Sequence, residues 1–174
     1  GKDTMNASNI LSVLALLPSR KDGLLAKNDH IAYSVTGSVG DDKVEGALGI
    51  KIVAVKEGEI LVDVLPKRVP FMKRARLKFP WDGKEMSDLG GVVAGWSVLH
   101  HGEKVGRSTI STPFGDREVE HFMRIEQLDN GTLKSEQFVD PVHHLPLGAR
   151  MSGKSGDVVF GIVDTSLDWV KNNK

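Results

Sequence analysis

The stretch Arg117 to Gln127, REVEHFMRIEQ, decides the fold class because the character of its side chains changes at nearly every position. Val119, His121, Met123 and Ile125 would share one face of an extended strand. The other face would carry charged side chains, apart from Phe122, which interrupts the pattern: Glu118, Glu120, Arg124 and Glu126. This period of two is typical of a half-buried antiparallel strand.

Turn signals surround this strand and predict a sheet of short, tightly connected strands. Asp129-Asn130-Gly131-Thr132 follows it, and Asn-Gly favours a hairpin because both residues tolerate positive φ. Gly46 and Gly49 interrupt another apolar run and indicate bulges that bend a sheet. We therefore expect a mainly β protein, a strongly curved antiparallel sheet forming a half-barrel or barrel. The other predicted strands are 31–36, 44–55, 60–65, 96–100, 105–112, 133–139 and 158–163.

The domain prediction separates residues 1–29 from residues 30–174. The first part is a tail with a short helix over Ile10 to Leu17, where apolar residues recur at helical spacing before Pro18. That apolar run is far shorter than the ~20 residues that a membrane-spanning helix needs. The second part is one antiparallel β domain, in which residues 66–91 form a long irregular crossing segment because of their prolines and poor periodicity.

Composition excludes several classes of function. Lys plus Arg and Asp plus Glu both total 23, so the formal net charge is zero, which argues against a nucleic-acid-binding protein. The chain has no cysteine, which excludes disulfides, iron–sulfur clusters and cysteine nucleophiles. With 40% hydrophobic residues, the chain is typical of a globular protein rather than a disordered one.

One nucleotide-binding motif matches, but its surroundings contradict it. Residues Gly148 to Ser155 fit the phosphate-binding pattern G-x-x-x-x-G-K-[ST] at every position. That loop works when it runs from a buried strand into a helix. Here Asp157 to Val163 alternates like a strand, so we predict a glycine-rich hairpin turn and no nucleotide cofactor.

The histidines form two adjacent pairs, His100-His101 and His143-His144. Neighbouring residues of a strand point to opposite faces, so neither pair chelates one ion by itself. A metal site would need one histidine from each pair with His30, His121 or Asp140, and the spacing does not demand it. We predict no metal site, and for His121 a hydrogen-bonded core histidine rather than a catalytic base.

The segment 67–78 has the strongest local pattern, with six positive charges among apolar residues. It predicts a patch for phosphate, lipid head groups, a membrane surface or an acidic protein face. The alternative is a solvated segment balanced by Asp82, Glu85 and Asp88. The basic residues are Lys67, Arg68, Lys73, Arg74, Arg76 and Lys78.

Part of the chain, from Trp96 to Trp169, resembles the lipoprotein-carrier family of LolA and LolB type, and surface domains with a T-P-x-G turn. The resemblance rests on Thr112-Pro113-Phe114-Gly115, the strand from Val119 to Ile125, Phe138 to Pro141, and Leu145 to Leu147. It implies a half-barrel whose concave apolar face holds an acyl chain or a partner's hydrophobic segment. It carries over no catalytic or binding residue.

These observations favour a non-catalytic binding domain that takes an apolar ligand or a protein partner on the concave face of a curved sheet. Two alternatives stay open: a hydrolase that uses His121 or a paired histidine, and an assembly module that docks through segment 67–78. Two N-x-[ST] sequons, at Asn6 and Asn130, slightly favour an extracytoplasmic location. The predicted lining residues are Phe71, Met72, Phe79, Trp81, Val119, Met123 and Ile125.

Overall fold

The computed structural model describes residues 23–86 and 102–172, which form one antiparallel sheet and a short helix. The sheet has nine strands, which we number in the order of the chain. They are β1 (His30–Val39), β2 (Asp42–Lys56), β3 (Glu59–Lys67), β4 (Ala75–Pro80), β5 (Glu103–Thr112), β6 (Gly115–Leu128), β7 (Gly131–Val139), β8 (Pro146–Gly153) and β9 (Gly156–Thr165). The helix is α1 (Asp168–Lys171).

Two antiparallel meanders make up the sheet, β1 to β4 and β5 to β9. They meet where β1 pairs with β9, which gives the order β4-β3-β2-β1-β9-β8-β7-β6-β5. Among the described residues β4 and β5 are the two edges, so the sheet is open. The expected mainly β, antiparallel class is confirmed.

The main core lies on one face of β1, β2, β3 and β9, which we name the core face. Ile31, Tyr33 and Val35 have no exposed surface, and the register places Tyr33 opposite Leu48 and Val35 opposite Phe160. Directly opposed residues of an antiparallel pair point to the same face, so these side chains form one apolar layer. Each buried side chain of this size contributes about 1.5–3 kcal/mol.

Tyr33 also ties β1 to β8 across the intervening strand. Its hydroxyl donates a hydrogen bond of 2.7 Å to the carbonyl oxygen of Pro146. Burial raises the pKa of Tyr33 above its ordinary value, so the hydroxyl stays protonated and remains a donor.

The decisive strand β6 keeps its predicted alternation, but its apolar face is not the core face. Across neighbouring strands, Phe122 lies opposite Gln137, Gln137 opposite Ala149, and Ala149 opposite Phe160. Opposed residues point to the same face, so Phe122 points to the core face, as Phe160 does. Val119, His121, Met123 and Ile125 therefore point to the opposite side, which we name the second face. There Val119 is fully buried and Ile125 is 58% exposed.

The sequence pattern missed β4 and β8. Segment 66–91, predicted to be irregular, contains β4, which alternates Ala75, Leu77 and Phe79 with charged residues. As an edge strand it tolerates the prolines that obscured this pattern. Strand β8 begins at Pro146, inside the loop predicted over residues 141–148. Gly148 lies between β7 and β9, where a Cβ would lie 3.4 Å from the Phe160 carbonyl oxygen.

Three predicted features lie outside the described residues: the helix over Ile10 to Leu17, the strand 96–100 and the pair His100-His101. Within residues 23–86 and 102–172, no helix has the length and apolar character needed to cross a membrane.

The two ends of the sheet differ. The turns at 40–41, 129–130 and 154–155 and the loop 68–74 lie at one end, which we name the hairpin end. Helix α1 and the loop 140–145 lie at the other, which we name the helix end.

Two glycines of β2 provide a matched test of this packing. A Cβ at Gly46 would overlap the carbonyl oxygens of Lys67 and Arg68, whereas a Cβ at Gly49 would make ordinary 3.6 Å contacts with Leu65. We expect Gly46→Ala to lower the free energy of unfolding by about 1–3 kcal/mol. Gly49→Ala should change it by less than about 1 kcal/mol, because an alanine fits there and is not disfavoured in a strand. Urea denaturation measures both, and equal effects would contradict this packing.

Candidate functional site

An apolar cavity opens on the core face at the hairpin end. Its volume is about 190 Å³, and β1, β6, β7, β8, β9 and the loop 68–74 form its walls. An apolar cavity of about 150 Å³ is large enough to bind benzene, so this one suits a hydrocarbon segment. Six of its lining side chains are apolar: Val39, Phe71, Leu128, Leu133, Met151 and Val158.

Two glycines keep the floor of this cavity open. The register pairs Leu133 with Gly153, Gly153 with Gly156, and Gly156 with Val39. These two positions carry no side chain, so the space between Leu133 and Val39 stays free. At Gly156 a Cβ would overlap the carbonyl oxygen of Ser38, so the backbones themselves require glycine there.

Polar side chains line the same cavity, and they come from two neighbouring turns. Asn130 and Thr132 belong to the β6–β7 turn region, and Lys154 and Ser155 form the β8–β9 turn. Lys154 is the one charged residue among the lining residues that the structure describes. The site therefore combines apolar walls with polar groups and a single cation.

The motif at Gly148 to Ser155 is a hairpin, as predicted. Strand β8 ends at Gly153, Lys154 and Ser155 make the turn, and β9 begins at Gly156. The Gly40 amide donates a 2.6 Å hydrogen bond to the Ser155 carbonyl oxygen, which joins this turn to the β1–β2 turn. Sequence reasoning recognised the turn but missed its role as a cavity wall, because that role depends on which hairpins are neighbours.

The four predicted lining residues of the crossing segment do not share one site. Phe71 lines the cavity and is 44% exposed. Met72 and Phe79 pack against the core cluster instead. Trp81 is buried, and its indole Nε1 donates a hydrogen bond of 2.5 Å to the Glu85 carbonyl oxygen.

The predicted lining residues of β6 lie on the second face, away from Phe71. Met123 and Ile125 border a cleft of about 450 Å³ with Val105, and Glu103 and Arg124 give that cleft a charged border. Val119 is fully buried and belongs to the same hydrophobic core cluster as Trp81. Phe71 and Met123 therefore border different cavities.

The basic residues of segment 67–78 are all exposed. Arg76 makes two hydrogen bonds to Asp63, of 2.7 and 3.1 Å, and this guanidinium lowers the pKa of Asp63 below its usual value. Arg76 and Lys78 lie on the edge strand β4, and charged side chains at an edge discourage pairing with another chain. This explains part of the charge pattern without a ligand.

The described histidines interact with carboxylates or aromatic rings. His121 Nε2 lies 2.7 Å from Glu136 Oε2, and its ring stacks on Phe138 with 4.5 Å between centroids. His143 packs edge-on against Trp169. Over residues 23–86 and 102–172, no three His, Asp or Glu side chains are arranged to hold a metal ion.

A buried carboxylate organises the helix-end side of β5 and β6. Glu120 is 7% exposed and accepts a 2.6 Å hydrogen bond from Lys104 Nζ, and Arg107 lies 3.6 Å away. His144 bridges the cluster, with Nδ1 2.7 Å from Glu85 and Nε2 3.5 Å from Glu120. The Lys104 hydrogen bond, more than the charges of His144 and Arg107, lowers the pKa of Glu120 below its ordinary value.

Solved structures show a similar fold. No family model matches the sequence, and no curated protein matches it. Among solved structures, a predicted exported protein with a YmcC-like fold from Bacteroides fragilis matches with 8% identity, over 83% of this chain and 99% of that chain, at a TM-score of 0.50. A predicted lipoprotein from Parabacteroides distasonis matches with 8% identity, over 83% and 98%, at 0.51.

A LolA-superfamily protein from Nitrosomonas europaea also matches, with 10% identity over 94% of each chain at a TM-score of 0.30. At 8% identity, the likeness to the proteins from Bacteroides fragilis and Parabacteroides distasonis concerns the fold alone.

The Glu120 cluster predicts a specific pH dependence of stability. The pKa of Glu120 is lower in the folded chain than its ordinary value of 4.5, so its ionised form stabilises the fold above about that pH. This stabilisation is lost as the pH falls through the folded-state pKa. We expect Glu120→Gln to lose stability at neutral pH and to show a flatter decline in acid. Urea denaturation across that pH range measures it.

The matched control is Glu118→Gln, on the same strand but with a side chain that is 62% exposed. This variant should keep the acid-dependent decline of the wild type, because exposed pairs contribute little. An unchanged acid decline in Glu120→Gln would show that the cluster does not contribute to it.

Proposed function

We propose that this chain is a non-catalytic binding domain that takes an apolar, lipid-like ligand in the cavity at the hairpin end. The observation that carries the proposal is the open cavity with six apolar side chains in its walls. Protein interiors are close-packed, with few voids larger than a water molecule. An apolar space of about 190 Å³ that opens to solvent is therefore a candidate binding site.

The size of the cavity supports a chain segment as ligand rather than a whole large molecule. Pockets for drug-sized ligands typically measure about 300–1,000 Å³, which exceeds this volume. A hydrocarbon tail would fill it, and each buried methylene contributes about 0.8 kcal/mol. The resemblance to lipoprotein carriers also implies an acyl-chain ligand, but on the concave face of the sheet, whereas this cavity lies on the core face.

We also infer that the sheet is strongly curved, as a half-barrel. Register shifts interrupt the β1–β9, β2–β3, β5–β6 and β7–β8 pairings, and such bulges bend strands. Ile110 of β5 would lie 3.8 Å from a Cβ at Gly148 of β8. Two strands separate β5 from β8 in the sheet, so this approach supports a curl towards the second face.

We propose an extracytoplasmic location. The two similar folds belong to proteins named as exported and as a lipoprotein, and a lipid-binding cavity suits a protein of the cell envelope. The exposed sequon at Asn130 is compatible with this location.

Binding of a neutral fluorescent probe, N-phenylnaphthylamine, tests the function. We expect fluorescence enhancement with the wild type and about tenfold weaker binding by Phe71→Ser, because this variant removes an apolar wall. Val142→Ser is the matched control, since Val142 is 69% exposed in a turn at the helix end. Both variants should keep the wild-type melting temperature, because neither side chain belongs to the core.

The same measurement separates this cavity from the second cleft that Met123 and Ile125 border. We expect Met123→Asp to leave probe binding unchanged, because Met123 lies on the second face. Loss of binding in folded Met123→Asp together with normal binding by Phe71→Ser would transfer the site to that cleft. No binding by the wild type would overturn the proposed function.

A further inference from the structure

We propose that the ligand is a single-chain amphiphile with an anionic head group, whose tail enters the cavity and whose head binds Lys154. This rests on the proposed function and adds the chemical class of the ligand. Among the lining residues that lie within 23–86 and 102–172, Lys154 is the one charged residue and none is acidic. The charge of the site is therefore complementary to a negative head group.

The position of the Lys154 side chain supports this assignment. A Cβ at Gly131 would lie 3.7 Å from Lys154 Cβ and 3.9 Å from Lys154 Cδ. The aliphatic stem thus packs over the backbone of the neighbouring turn, which directs the side chain along the cavity border. Asn130, Thr132 and Ser155 line the cavity beside it and offer hydrogen-bond donors to the same head group.

Two other cations at the hairpin end have protein partners, whereas Arg68, Lys73 and Arg74 of the loop 68–74 are exposed but do not line the cavity. Arg150 pairs with Asp157, with Nε 2.9 Å from Oδ1, and Lys43 Nζ lies 2.7 Å from Glu45 Oε1. Among residues 23–86 and 102–172, no carboxylate lies within 4.0 Å of the Lys154 ammonium. Its charge is therefore available to a ligand.

Acidic residues also occur in the turns at the hairpin end, and one of them provides a further test of the anionic head group. Asp41 and Asp129 are exposed there but do not line the cavity. Asp129 lies next to the lining residue Asn130, so its charge opposes an anionic head group at the cavity border. We expect Asp129→Asn to bind an anionic amphiphile at least as well as the wild type.

Displacement of N-phenylnaphthylamine by ligands with the same chain and different head groups tests the proposal. We expect laurate to displace it best, dodecanol less well and dodecylammonium least. Acetate should not displace it, because a carboxylate without a tail has no apolar contact. The preference for laurate should weaken with added salt, since salt screens an exposed charge pair.

The variant Lys154→Met keeps the apolar stem and removes the charge. It should weaken laurate binding by up to about fivefold, the upper value for an exposed charge pair, and leave dodecanol binding unchanged. Lys84→Met, which removes an exposed lysine at the helix end, should change neither.

The outcomes separate this inference from the proposed function. Equal binding of laurate and dodecanol by the wild type, or an unchanged laurate preference in Lys154→Met, would overturn the anionic head group while the apolar site stands. Failure of both laurate and dodecanol to displace a bound probe, or absence of probe binding, would overturn the proposed function itself.

Discussion

The pairing of β1 with β9 is the constraint on which the rest of the structure depends. It runs from Ile31 opposite Thr165 to Val39 opposite Gly156 and joins two meanders that otherwise form separate sheets. The core face becomes continuous only across this seam, where Val35 lies opposite Phe160. The cavity also depends on it, because the seam brings the β1–β2 turn beside the β8–β9 turn, and the walls of the cavity come from both meanders.

Glycine determines how closely these strands approach. At Gly37, Gly46 and Gly156 an added Cβ would overlap a carbonyl oxygen of a neighbouring segment, so the backbone is in contact where a side chain would normally stand. The same lack of side chains at Gly153 and Gly156 leaves the cavity open. The glycines that allow close packing across the seam thus also leave an unfilled apolar space at the hairpin end of the seam.

The buried carboxylate and the apolar cavity lie at different ends of the sheet. On the helix-end side, Glu120 is buried and bound by Lys104, and His144 links it to Glu85. This arrangement satisfies a carboxylate whose burial would otherwise be costly, and it joins the segment after β4 to the second meander. At the hairpin end, apolar side chains and a few polar ones line a cavity, and Lys154 is the charged residue among the described lining residues. The first end stabilises the fold, and the second is the one with space for a ligand.

The sequence by itself determined the class of the fold, because alternation in β6 and the Asn130-Gly131 turn are local signals that neighbouring residues carry. It also excluded a phosphate-binding loop at Gly148 to Ser155, since the residues after that motif alternate like a strand. It did not determine which face of β6 meets the core, because period two is equally compatible with either face. Only the tertiary structure decided that Phe71, Met151 and Lys154 share one cavity and that Met123 lies on the other face, because strand order and register bring together residues that are far apart in the chain.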